Sequence, residues 1–333
     1  MLASTAYECA DKGDCTMEMF AAWISRVAST RGVIDIHIPA GLVESQFTYG
    51  REAGRAFIAA LPARVEEFLQ RWQLRIDGPT MHGMAALVLP VVLPDGGPAA
   101  IKFQHLDEET EGEPDAMLLW GGNGAARLLD YDDQTGTLLL ERLDSGRMLS
   151  TMCDRGTAET RQAVLVIAEL LARLTAVPAP EGMRRLGDVT ALMVENLPAA
   201  LAVISDPAER ALLDQCGGAV REVMGEPGQR LLHWDLHYEN VLASEREPWL
   251  AIDPKPLAGD PGFELFPAID NSFDAGEVLW RFDAMTEVLN LDRERAKAWT
   301  LGRVLQNSLW EIQDKRPLVP DHLEVARQLL KAR

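Results

Sequence analysis

The chain is 333 residues long, is 47% hydrophobic, and carries 51 acidic against 32 basic side chains, for a formal net charge of −19. That length suits two lobes of an enzyme better than one small domain, and the acidic balance disfavours nucleic acid and anionic lipid as partners. No apolar run approaches the roughly 20 residues of a membrane span.

In chain order, residues 1–16 read as a polar, disordered extension. They lack a basic segment followed by an apolar one, so no signal peptide is expected. The four cysteines, Cys9, Cys15, Cys153 and Cys216, are scattered outside any CxxC or disulfide pattern, and a reducing cytoplasm is the expected compartment. Residues 18–29 carry helical spacing. Pro62 fits a first-turn proline, with Val65, Phe68, Leu69 and Trp72 as the apolar face that follows. Residues 87–93 and 99–103 flank Pro94-Asp95-Gly96-Gly97-Pro98, which predicts a β-hairpin. A charged helix is expected over 107–120, then strands at 126–131 and 137–141. Helices follow at 157–176, 190–204 and 207–224, and helical patterning returns over 274–331. The strand-rich first half and helix-rich second half predict an α+β, bilobal chain. Residues 17–143 would form an N-terminal lobe with a small antiparallel sheet, and 144–333 a larger helical C-terminal lobe.

The densest chemistry lies at His233-Trp234-Asp235-Leu236-His237-Tyr238-Glu239-Asn240, an H-x-D-x-x-x-x-N spacing that matches the catalytic loop of the protein-kinase-like fold. Asp235 would accept the proton of a substrate hydroxyl, and Asn240 would hold Mg²⁺. The apolar run Trp249-Leu250-Ala251-Ile252 ends in Asp253, where kinases place their second metal-binding carboxylate. In the first half, Ala99-Ala100-Ile101-Lys102 is close to the V-A-I-K pattern whose lysine pairs with the ATP phosphates. A glutamate from the charged helix should hold that lysine, with Glu113 the first candidate and Glu109 the alternative. Backbone groups at Glu141 and Leu143 would bind adenine at the lobe junction. Gly78–Gly83 occupies the place of a phosphate-covering loop without matching G-x-G-x-x-G. His233 and His237 read as histidines that hydrogen-bond the loop backbone.

These motifs, with Pro248 to Leu265 and Trp120 to Asp130, resemble the aminoglycoside phosphotransferases, and more narrowly the aminoglycoside/hydroxyurea resistance kinases and streptomycin 6-kinases. The resemblance covers roughly residue 35 onward. It implies a protein-kinase-like fold, ATP and Mg²⁺ as cofactors, Asp235 as catalytic base, and Asn240 and Asp253 as metal ligands. It also implies Lys102 at the ATP phosphates and Asp260 as a structural aspartate bracing the loop. The acceptor it implies is the 6-hydroxyl of streptomycin, a cationic small molecule with two guanidinium groups. Such groups call for carboxylates, and Glu264 and Asp270 are the candidates nearest the metal strand. A kinase for hydroxyurea or another alcohol, and a non-catalytic nucleotide-binding regulator, are the alternatives. Two departures stand out. Trp234 occupies a position where many relatives have Gly, and Pro254-Lys255 replaces the Phe-Gly of protein kinases.

Overall fold

The computed structural model describes residues 36–332. The extension at 1–16, the helical pattern at 18–29, Asp35, Cys9 and Cys15 lie outside the described residues. The chain forms two compact units that divide after Arg142, and the segment Gly112–Arg127 belongs to the second.

The hairpin forms in the first unit as strands β3 (Ala86–Val92) and β4 (Pro98–Gln104), in register from Ala86↔Gln104 to Val92↔Pro98. Its turn closes through Leu93 N donating to Gly97 O and Gly97 N donating to Asp95 Oδ1. Strands β1 (Arg75–Ile76) and β2 (Met81–His82) both pair with β3. On the other side, β4 pairs with β6 (Thr137–Glu141), which pairs with β5 (Leu128–Asp132). Leu87, Leu89, Ile101 and Phe103 are buried in one cluster with Ile58, Leu61, Val65 and Phe68 of helix α2 (Arg51–Arg71), which follows α1 (Ala40–Thr48). Each fully buried side chain of this size contributes about 1.5–3 kcal/mol.

Two local expectations change. Pro62 sits inside α2, not in its first turn, because the buried positions run continuously from Ile58 through Leu61 to Val65. That packing offsets the roughly 3 kcal/mol that an interior proline costs. The segment Gly78–Gly83 contains β2, hydrogen-bonded to β3, in place of an open loop.

In the second unit, the charged helix is shorter than predicted. Helix α3 covers Glu113–Trp120 only, with Pro114 in its first turn. Residues 107–110 form a turn instead, because Asp107 Oδ1 accepts from the backbone N–H of both Glu109 and Thr110. After β7 (Asp144–Met148) and α4 (Ser150–Cys153) come α5 (Thr157–Leu174), α6 (Leu186–Val203) and α7 (Pro207–Val223). The later helices are α8 (Phe266–Asp270), α9 (Val278–Val288), α10 (Arg293–Gln313) and α11 (Pro320–Lys331). Their shared core includes Ile167, Leu171, Leu213, Phe282 and Leu305, each fully buried. Among the described residues, α6 is the one helix long and apolar enough to cross a membrane by length and composition. Its buried face, with Leu186, Met193 and Leu197, packs on α7 and α10.

Two small antiparallel sheets set up the loops of this unit. Strand β8 (Arg230–Leu232) pairs with β11 (Leu257–Gly259), and β7 pairs with β9 (Val241–Ala243), which pairs with β10 (Leu250–Ala251). The turn before β8 requires glycine: Gly228 has φ +82, and a Cβ there would lie 2.5 Å from the Gly259 carbonyl oxygen.

Candidate active site

The H-x-D loop leaves β8 of one small sheet and enters the other at β9. The β9–β10 register pairs Val241 with Ala251, and Ile252 N donates to Asn240 O at 2.9 Å. Asn240 and Asp253 therefore emerge at the same end of one hairpin, although the chain between them is long. The Asn240 side chain donates through Nδ2 to the Asp235 carbonyl at 2.9 Å, which directs its amide oxygen away from that bond. On the other flank, Lys255 N donates to His233 O, continuing the β8–β11 pairing. Asp235, Asn240 and Asp253 are thus positioned by two short ladders that meet at the loop.

The loop itself is held by buried polar groups. His233 is fully buried, and its Nε2 lies 3.0 Å from the Ile252 carbonyl oxygen. Burial pushes its pKa down to about 4, against the raising effect of Asp235 and Asp253. Its ring stacks 6.1 Å from that of Trp120. Trp234 adopts φ +73, a left-handed conformation costing about 1–3 kcal/mol for a bulky residue. What holds it is Glu264, whose two carboxylate oxygens accept from Trp234 N at 2.9 and 3.0 Å. The Trp234 ring is also buried, with the Arg303 and Arg184 guanidinium carbons 4.4 and 4.7 Å from its centroid.

The carboxylates fall differently from the sequence reading. Glu264, expected as a substrate contact, is fully buried and faces the loop backbone. Burial pushes it up to about 7, while the Trp234 N–H, the Arg303 charge and the His233 N–H pull the other way. Asp260, expected to brace the loop, instead caps the turn Pro261–Glu264 through Gly262 N and pairs with Arg295 Nε at 2.7 Å. The physical reason is direction: the extended Asp260 backbone turns its carboxylate to Gly262 N and Arg295, whereas the following turn carries Glu264 to the Trp234 N–H. Asp270 remains about a third exposed, 3.3 Å from His322 Nε2.

Asp253 also takes a left-handed φ of +57, and its Oδ1 lies 3.2 Å from Lys255 Nζ. Although burial opposes its charge, Lys255 is held well above the ordinary lysine range by Asp253, Glu113 and Asp235. Glu113 is fully buried at the start of α3, whereas Glu109 lies in the preceding turn. Lys102 is buried on β4, opposite Val88 and Leu138. Glu141 ends β6, and Leu143 follows at the unit boundary.

A pocket of about 190 Å³ opens beside Asp235, lined also by His237, Glu239, Asp270, Arg303 and Asn307. Instead of bonding the loop backbone, the His237 ring meets Glu239 Oε2 at 2.7 Å through Nδ1, with Asp235 Oδ2 3.9 Å from Nε2. Burial works against protonation of His237, but the Glu239 hydrogen bond and the Asp235 charge outweigh it and raise the pKa. The Asn307 amide oxygen is buried and has no hydrogen-bond partner among the described residues. Sequence reasoning missed Glu239, Arg303, Asn307 and Lys255. Glu239 and Lys255 lay within motifs already singled out, but nothing in the order of residues brought Arg303 and Asn307 to this pocket.

The profile of the aminoglycoside/hydroxyurea antibiotic resistance kinases matches residues 71–315. The chain belongs to that family. It is therefore a phosphotransferase, which removes the non-catalytic alternative. The kinase is 57% identical to a hydroxyurea phosphotransferase of Kitasatospora aureofaciens over 94% of this chain and 89% of that protein. It is 52% identical to a streptomycin 6-kinase of Streptomyces glaucescens over 84% and 92% of the two chains. In fold it is similar to the aminoglycoside phosphotransferase APH(4)-Ia in ternary complex with ADP and hygromycin B. That TM-score is 0.54 at 12% identity, covering 80% of this chain and 97% of the other. The α+β, protein-kinase-like fold is shared with small-molecule kinases.

Proposed function

We propose that this kinase transfers the γ-phosphoryl group of ATP to the 6-hydroxyl of streptomycin, releasing ADP. The observation that carries this reading is the acidic pocket beside Asp235, where Glu239 and Asp270 face the space next to the acceptor position. A substrate with two guanidinium groups needs such carboxylates, and the streptomycin 6-kinase relative supports the assignment. Asp235 would orient the hydroxyl and take its proton as the new O–P bond forms and the bridging Pβ–O–Pγ bond breaks. Lys102 would neutralise ATP phosphates, and the backbone at Glu141 would meet adenine. Residues 17–143 and 144–333 would then be the nucleotide and acceptor lobes.

The donor set suits Mg²⁺. Asn240 keeps an amide oxygen beyond its Nδ2 bond, and the Asp253 carboxylate is 35% exposed. Hard oxygens of this kind, completed by substrate phosphates, are its usual ligands. Bound there, the ion would neutralise charge on the transferring group. A cytoplasmic site of action is consistent with a nucleotide-dependent reaction.

Hydroxyurea as acceptor is the second reading, favoured by the 57% identical relative and by a pocket small enough for a compact molecule. Incubation with Mg-ATP and a panel of streptomycin, other aminoglycosides and hydroxyurea separates the two. A mass gain of one phosphoryl group on streptomycin, located at the 6-position by NMR, supports the first. Turnover of hydroxyurea alone overturns it.

A further inference from the structure

The wall of the acceptor pocket and the inside of the catalytic loop share one side chain. Arg303, on α10, lines the pocket together with Asp235, yet only 5% of it is exposed. Its guanidinium lies over the Trp234 ring at 4.4 Å and close to Phe263 at 5.6 Å, and its charge acts on the buried Glu264. Glu264 in turn grips the Trp234 backbone N–H with both oxygens. Trp234 directly precedes Asp235 and holds a backbone conformation that a tryptophan leaves unless its surroundings enforce it.

We propose that Arg303 is a positioning residue for the phosphoryl transfer: it holds Trp234 and Glu264 in place, and through them fixes where Asp235 points into the pocket whose wall Arg303 also forms. The arrangement explains why a tryptophan can stand at a positive φ next to the candidate base. The ring gives Arg303 a flat surface, and the backbone N–H gives Glu264 a donor, so a single residue is held at two points. A planar guanidinium suits this stacking, and an ammonium group does not replace it. Because a misplacement of about 1 Å at a reacting group can cost about 100-fold in rate, loosening the clamp should appear in kcat and leave nucleotide affinity alone.

The inference rests on Asp235 as the base but not on streptomycin as the acceptor. The test is a double-substitution cycle on the full chain with Arg303→Lys, Trp234→Phe and the pair. Kinetics are measured well below each variant's unfolding midpoint, where circular dichroism shows the folded fraction to be near one. Each single variant should lose about tenfold or more in kcat on the accepted substrate, with KM for ATP within about threefold of the parent. Because the two residues act through one clamp, the double variant should be no worse than the poorer single. Multiplied losses, an unchanged kcat, or losses that follow the folded fraction would overturn the proposal. If the parent enzyme phosphorylates neither streptomycin nor hydroxyurea, the substrate reading fails by itself. The same cycle is then read on the slow hydrolysis of ATP by water, and the same criteria decide.

Discussion

Among single residues, Asp235 and the buried pair beneath it make the clearest claims. Asp235→Ala should lower phosphorylation by about 10²–10⁴-fold while circular dichroism and binding of Mg-ATP stay near those of the parent. Full activity in that variant would remove Asp235 from the mechanism. His233 and Glu264 predict a pH effect of opposed signs. His233 has its folded pKa depressed, so its contribution is present above 6.5 and is lost as pH falls toward about 4. Glu264 has its folded pKa raised, so its contribution is full below 4.5 and is lost as pH rises through about 7. In the parent protein the two slopes oppose each other between pH 4.5 and 6.5. Glu264→Gln removes one of them and should expose the His233 slope, with stability falling by about 3 kcal/mol from pH 7 to pH 4. Urea denaturation across that range checks this; a variant with the same pH profile as the parent would refute it.

At the scale of elements, the site is built by strand registers more than by the loop's own sequence. Pairing of β9 with β10 brings Asn240 beside Ile252, and pairing of β8 with β11 anchors His233 against Lys255. Only the apolar run ending in Asp253 was legible in the sequence. Neither pairing was, because strands of two or three residues carry too little periodicity to stand out. Gly228 is where that second ladder is most exposed to change. Gly228→Ala adds a Cβ against backbone and forces a residue that resists φ +82, so it should cost roughly 1–3 kcal/mol. Thermal unfolding reads the loss. An unchanged midpoint would show that the 259–260 backbone yields freely.

For the whole molecule, a net charge of −19 should act on a cationic acceptor over a distance comparable with the Debye length. Raising ionic strength from about 0.01 to 0.15 M shortens that length from about 30 to 8 Å. KM for streptomycin should therefore rise several-fold over this range, while KM for neutral hydroxyurea stays flat. Initial rates at fixed Mg-ATP test it, and equal salt dependence for both would place recognition in short-range contacts alone.

Phosphotransferase chemistry was legible in the sequence by itself, because the residues proposed for it stand at short, fixed spacings: Asp235 with Asn240, and Asp253 at the end of an apolar strand. The sequence also determined the order of the main strands and helices, since burial on one face imprints a period on each. It could not decide what each carboxylate meets. Glu264 and Asp260 are close neighbours with the same charge, and one turn, Pro261–Glu264, sends the first to the Trp234 N–H and the second to Arg295. Nor could it place Arg303 on Trp234, because that contact depends on how α10 packs across the loop. Trp234, anomalous in the sequence, keeps its positive φ among the Glu264 carboxylate on its N–H and the Arg303 guanidinium over its ring: only tertiary contacts can hold a bulky residue in a conformation its own backbone disfavours.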